Sequence, residues 1–366
     1  MLAFILSLVL QVHHGESINA ALDSARTAYA ATGERTTVVL EPGTYQEQLT
    51  IDVPGLRLIS ASRHTPARVT WYYGHGYQYR SMGGTVNYGG SRTRRWNASV
   101  LVTAPDFYAE NIIFENSFNL YVSEKEAADS LYIVPEYTAR EMPVRPKQAG
   151  STEVQQKVYR ERAAAISFTE TATNARLKNC TAVGRQDVVY GDQGASVYWK
   201  GGALKGGVDF IFGAMTFVAD RATIVANING EPGDKCYISA GRSGSDGKGN
   251  PIEAHTRGML FYKCHIRLAT TDELEMVNGK CENEKMVWLA RPWRYWGETV
   301  WAYTTWDEGI LHPEGWSTGL TKGKECPNSY EYRSQDGSVG RPKWVSILRK
   351  PILPNGTRLT PKAWLK

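Results

Sequence analysis

The chain has 366 residues, 42% of them hydrophobic, 22% charged and 11% aromatic, a profile that excludes a disordered tail, a collagen-like fibre and a disulfide-dense mini-protein. Its net charge of +5 suits a polyanionic partner, but the basic residues are too dispersed to indicate nucleic acid, and the densest cluster, Arg92, Arg94 and Arg95, reads as a solvated loop face. Abundant Thr, Val and Tyr beside 35 Gly and 16 Pro favour β structure with many turns.

In chain order, the first feature is the apolar run in "MLAFILSLVLQVHHGES". It is too short for a membrane span, and no later segment is suited to stable membrane insertion. Residues 1–15 fit either a signal peptide, which would make the protein secreted, or a buried first strand; residues 16–366 read as one domain. An amphipathic helix, "ESINAALDSARTAYAAT", is followed by the strand–turn–strand pattern "TTVVLEPGTYQEQLTID".

Similar short strands then recur: "FYAENIIFENS", "ARLKNCTAVG", "VYWKGGALKG", "FVADRATIVA" and "LFYKCHIRLA". Aligned at Asn111, Cys180, Gly202, Ala222 and Cys264, they give later intervals of 22, 20 and 42 residues, the last expected to be two turns. A period near 20 without intervening helices predicts a parallel β-solenoid, each coil stacked on the last. Two excursions, Trp71–Ser91 and Leu120–Arg162, interrupt the repeat, and each fits either the wall of a cleft or decoration. None of the five cysteines forms a CxxC pair, so no metal site is expected; one or two disulfides suit a secreted chain, and Cys180 and Cys264 also suit a core. Of the sequons at Asn97, Asn179 and Asn355, the one at Asn179 is expected to be packed inside a coil.

Asp187 follows Cys180 by seven residues, and Asp209 follows Gly202 by seven. A solenoid places both in the same phase of consecutive coils. Two carboxylates so close divide their titration, one rising and the other held low by a cation, which yields a general acid and a nucleophile from one residue type. The spacing equally fits an outward ladder of turn aspartates. Flanking residues suit chemistry: Gln186 as an oxyanion donor, Arg291 as the cation, and Tyr190, Phe212, Trp293 and Trp296 as apolar faces for sugar rings, Trp296 fitting plain packing equally well.

Together these segments resemble the pectin methylesterase (pectinesterase) family. "GTYQE" at 43–47, "RQDVVYGD" around Asp187, "DFIFG" at 209–213, "LARPW" at 289–293, "HPEGW" at 312–316 and "YEYRSQDG" at 330–337 occur in the family's order, across about residues 16 to 350. The resemblance implies a right-handed parallel β-helix with a short N-terminal helix and long loops walling a cleft. It implies Asp209 as nucleophile, Asp187 as general acid/base, Gln186 as oxyanion donor and Arg291 as the arginine that holds the nucleophile and meets the substrate. Tyr190, Phe212 and Trp293 match the family's cleft aromatics. The implied substrate is methyl-esterified homogalacturonan, cut to methanol and acidic pectin by a monomer without metal or cofactor. One departure stands out: the family's second glutamine is replaced, in "RAAAIS", by Arg162.

Two alternatives follow from that departure and from the fold: a catalytically impaired solenoid that binds acidic polysaccharide, and an esterase or thioesterase for another acyl group. A glycosidase would want acids arranged across the bond, and "GHG" at 74–76, familiar from polygalacturonases, lies far upstream of the acids and reads as chance. A lyase would need a calcium-binding acid cluster, which the sequence does not offer.

Overall fold

Short strands of two to six residues, with alternate side chains turned inward, recur along the described chain from Leu8 to Ile347. The structure is a computed structural model that describes residues 8–82, 97–133, 143–227, 235–246, 248–252, 257–270, 273 and 286–366. The basic cluster at Arg92–Arg95 and Cys281 lie outside them. Three parallel sheets of eleven, eight and seven strands, here A, B and C, form the walls of a right-handed parallel β-helix. Each pass of the chain contributes to A, then B, then C. Inward positions stack on their equivalents in the next coil: Leu177 on Trp199, Trp199 on Ala219, Phe261 on Trp301. The Phe261 and Trp301 rings are stacked, with centroids 3.9 Å apart and planes nearly parallel.

One residue turns the chain from sheet A into sheet B. Asn111, Asn179, Gly201, Arg221, Lys263, Tyr303 and Arg333 occupy this corner, all in the left-handed region with φ between 49° and 64°. That conformation costs a side-chain-bearing residue about 1 kcal/mol. The ladder offsets it: the corner amides of Asn179, Arg221, Lys263 and Tyr303 donate to the neighbouring coil's carbonyl at 2.9 Å, so the turn leaves no buried donor unpaired.

Register corrects two expectations. Thr181 pairs with Ala203, Ala203 with Thr223 and Thr223 with His265, which confirms the phase of Cys180, Gly202, Ala222 and Cys264. The 42-residue interval is nevertheless one coil, because the strands at Thr223–Ala226 and His265–Leu268 are direct neighbours and the surplus lies in the connections. Ile113 pairs with Thr181, so the equivalent of Cys180 is Ile112, and Asn111 matches Asn179 instead. The cysteines at 180, 236, 264 and 326 are buried thiols, and no disulfide joins the described residues. Asn97 is the buried sequon, its amide donating to the Gly74 carbonyl at 3.0 Å, whereas Asn179 is exposed at its corner.

Both ends of the solenoid are covered. Leu8–Val12 pairs with Thr36–Leu40 at the edge of sheet A, and helix α1 (Ile18–Thr32) lays Ile18, Leu22 and Ala25 over the end of the core. Glu47 of "GTYQE" holds the helix: its carboxylate accepts from the Ser17 hydroxyl, the Ile18 and Asn19 amides and the Asn19 side chain, three of these bonds at 2.8 Å. A carboxylate on free N-terminal amides also opposes the helix dipole. Glu47→Ala is expected to lower unfolding stability by about 1–2 kcal/mol, read as a lower urea midpoint with unchanged slope. At the other end, "HPEGW" and "YEYRSQDG" meet through buried Glu331, which accepts from Trp316 Nε1 at 2.8 Å, Ser338 at 2.8 Å and Arg341 at 2.7 Å. Leu353, Leu359 and Trp364 of the C-terminal segment cover the outside of sheet A over Val218, Leu260 and Val300.

The described parts of the two excursions pack on each other. Tyr77–Tyr79 pairs antiparallel with Leu131–Ile133, and Glu126 joins them by accepting from Tyr79 and Arg145, each at 2.7 Å. Among the described residues no helix is long and apolar enough to cross a membrane.

Candidate active site

Sheet C carries the two aspartates on adjacent coils. Val189 pairs with Ile211, Gln186 bridges Val208, and the Asp187 amide donates to the Val208 carbonyl at 3.1 Å. Asp187 therefore stands directly over Asp209. Both are left-handed, at φ 59° and 47°, which turns the carboxylates outward just before the strand resumes. After Asp209, Phe210 and Ile211 enter the core while Phe212 faces out against Tyr190, with ring centroids 4.7 Å apart. Gly213 closes the motif at φ 113°, where a Cβ would come 2.2 Å from the Gly191 carbonyl oxygen of the coil below.

Arg291 follows the sheet C strand Val287–Ala290, two coils beyond Asp209. Its Nε donates to Asp209 Oδ1 at 2.9 Å and its Nη2 to Oδ2 at 2.6 Å, a two-pronged, charge-assisted pair. The guanidinium lies 4.0 Å from the Tyr237 ring centroid. Burial raises the pKa of Asp209, and the Arg291 hydrogen bond and charge oppose that rise. Asp187 lacks such a bond: burial first, and then the Asp209 charge, lift it well above the ordinary carboxylate range. Both carboxyls are thus raised, Asp187 the more strongly, and Arg291 limits the rise of Asp209 without holding it low as the spacing predicts.

Gln186 is half-buried, and its carbonyl accepts from the Ala163 amide at 3.1 Å. Arg162 lies one coil earlier, beside Asp187. Its Nε donates to Glu161 at 3.1 Å, and its charge favours the ionised form of Asp187 while the Glu161 charge disfavours it. Tyr190, Phe212 and Ala240 form one buried apolar group with Trp293 and Leu320 packed against it, so three of the four expected aromatics come together. Trp296 does not join them: its ring meets Tyr295 at 4.8 Å, and its amide and carbonyl are tied to Ser245 and Asn328.

Three residues at the site escaped the sequence reading. Tyr237 lies under Arg291 in a coil whose long connections hide its phase. Glu161 forms a buried carboxylate next to Arg162. His75, from "GHG", donates its amide to the Arg162 carbonyl at 2.8 Å, and burial together with the Arg162 charge lowers its pKa to about 3. That tripeptide therefore packs, through the first excursion, against the coil that carries Arg162.

Residues 149–341 match the family model described as Pectinesterase. The chain belongs to the pectinesterase family. Among curated relatives, it is 26% identical over 235 residues to Pectinesterase 31 of Arabidopsis thaliana, covering 64% of this chain and 53% of that one. It is 24% identical over 325 residues to Putative pectinesterase 63 of the same plant, covering 87% and 72%. The first relatives matched are thus spanned over about half of their length or less. Pectinesterase-fold structures align over nearly the whole chain: the pectin methylesterase from carrot with a TM-score of 0.63 at 17% identity over 98% of this chain and 92% of that one, and the enzyme from Aspergillus niger with 0.62 at 19% over 98% and 94%. A pectin methylesterase solved in complex with a hexasaccharide aligns with a TM-score of 0.63 at 18% identity, over 98% and 96%.

Proposed function

We propose that this pectinesterase-family chain hydrolyses methyl esters of galacturonate in pectin, releasing methanol and leaving carboxylates on the polymer. The observation that carries the reading is the two-pronged Arg291–Asp209 pair directly under a second, buried aspartate on the neighbouring coil. Asp209 is the nucleophile: Arg291 keeps it ionised and orients it, and the partly dry groove leaves its attack unscreened by water. The Gln186 amide, with Arg162 as a second donor, stabilises the oxyanion of the tetrahedral intermediate. Asp187 gives its proton to departing methanol, and as a carboxylate then takes a proton from the water that hydrolyses the acyl-enzyme anhydride. Tyr190, Phe212 and Trp293 offer the sugar rings an apolar side, and the substrate is an extracellular polymer, which places the work outside the cell.

The test is methanol and proton release from highly methylated pectin, with the de-esterified polymer as blank. Release with unchanged viscosity supports an esterase; falling viscosity without methanol points to chain cleavage and overturns the reading.

Arg291→Met is expected to lower kcat/KM by about 10²-fold, the scale of losing a preorganised donor. Its pH signature is directional. Burial already pushes Asp209 up and Arg291 opposes this, so without Arg291 the carboxylate forms only at higher pH and the acid limb of the rate profile moves upward. A uniform fall across pH would contradict the role given to Arg291.

A further inference from the structure

The outside of sheet A divides into a covered and an uncovered half. From Val218 onward the C-terminal segment packs over it. The earlier coils carry a register row with a different composition: Arg57 pairs with Tyr108, Tyr108 with Arg176, and Arg176 with Tyr198. Arg57 and Arg176 are exposed and stand two strand spacings apart, about 10 Å. Beside them lies a recess of about 490 Å³, lined also by Arg35, Asp106 and Asn174.

The nearby acids are already answered. Asp106 accepts from Asn174 at 2.5 Å, with Arg35 at 3.9 Å, and Glu110 accepts from Lys178 at 2.8 Å and Tyr108 at 2.6 Å. The two arginines of the row are not. Arg57 lies over the Tyr108 ring at 4.3 Å, Arg176 donates its Nε to the neutral Asn174 side chain at 3.1 Å, and neither pairs with a carboxylate among the described residues. Each thus presents guanidinium N–H groups suited to a forked bond with a carboxylate. The row repeats cation, phenol, cation along the coil axis, with the Arg57 guanidinium resting on the phenol ring.

We infer that this face is a second carbohydrate site that binds an acidic oligosaccharide bearing a carboxylate on each sugar, separate from the groove on sheet C. The inference rests on the proposed esterase reading, because de-esterification creates such a chain from a neutral one. Two forked carboxylate contacts on one face select the product over its methyl ester, whose carbonyls carry no charge. The face would hold the enzyme on stretches of polymer already processed.

The test uses the full chain with Asp209→Asn, which leaves bound substrate intact, and titrates short galacturonate oligomers calorimetrically at physiological salt. Arg57→Ala with Arg176→Ala is expected to remove one binding equivalent for the de-esterified oligomer, or to weaken it at least five-fold, without affecting the fully methylated one. Arg57→Lys with Arg176→Lys is expected to fall between, since charge is kept and the fork is lost. With Asp209 restored, methanol release from short methylated oligomers stays within two-fold of the parent. Unchanged stoichiometry and affinity in the double alanine variant overturn the site. So does equally tight binding of heparin or duplex DNA with the same loss, which marks a general polyanion surface. If one equivalent is lost but the parent releases no methanol, the site stands and the esterase reading falls.

Discussion

Asp209→Asn abolishes methanol release from methylated pectin, by about 10⁴-fold or more, while the chain keeps its fold. The size follows from the assignment: an amide cannot form the anhydride, and no neighbouring group takes its place. Asparagine is the informative substitution because position 209 is left-handed at φ 47°, where Asn is tolerated and Ala carries a backbone cost of about 1 kcal/mol that would confuse the result. It also preserves one acceptor for Arg291. Circular dichroism and the thermal midpoint check that the coils survive. Turnover within ten-fold of the parent would remove Asp209 as nucleophile and with it the mechanism.

Asp187→Asn is expected to lower kcat by about 10³-fold, the scale of a lost general acid and base, and at the same time to stabilise the protein at neutral pH. Asp187 has a folded pKa well above its unfolded value, set by burial and then by the Asp209 charge. The folded state therefore binds its proton more tightly than the unfolded state does. Stability linked to this group is fully present below the unfolded pKa and is lost as pH rises from there through the folded value. Asparagine is neutral throughout and escapes that loss. The variant's thermal midpoint should match the parent near pH 3, exceed it at pH 7, and do so in an inactive protein. Equal midpoints at both pH values would show that Asp187 titrates like a solvated carboxyl, which leaves it unable to serve as the acid.

Much of this was legible before any coordinates. The phase shared by Cys180, Gly202, Ala222 and Cys264 is physical, because equivalent positions in successive coils face the same interior and their side chains must suit one another. The seven-residue offset then fixes the aspartate stack. Arg291 was found through its motif, since nothing local says that a residue 82 positions later reaches back to Asp209. The slip at Asn111 has a different cause. The corner is set by backbone conformation, and Asn, Gly, Arg, Lys and Tyr all fill it because the ladder supports them, so composition carries no marker of the turn. The 42-residue coil was read as two since a period cannot distinguish two short circuits from one circuit with long connections. Distance along the chain hides the approach of His75 to Arg162, and an indole near an arginine, as at Trp296, looks alike in sequence whether it faces sugar or a loop.

Asp187, Asp209, Tyr237 and Arg291 come from four successive passes through sheet C. In a one-dimensional stack, melting begins at a terminus and advances rung by rung, each layer leaning only on its neighbours. A front entering from the N-terminal end must unzip three layers of sheet C before it reaches Asp187, whereas Arg291 follows the last strand of that sheet. Heating should therefore fray the first strands measurably, by hydrogen exchange, while hydrolysis persists, and then extinguish hydrolysis sharply when the layers that carry the quartet part.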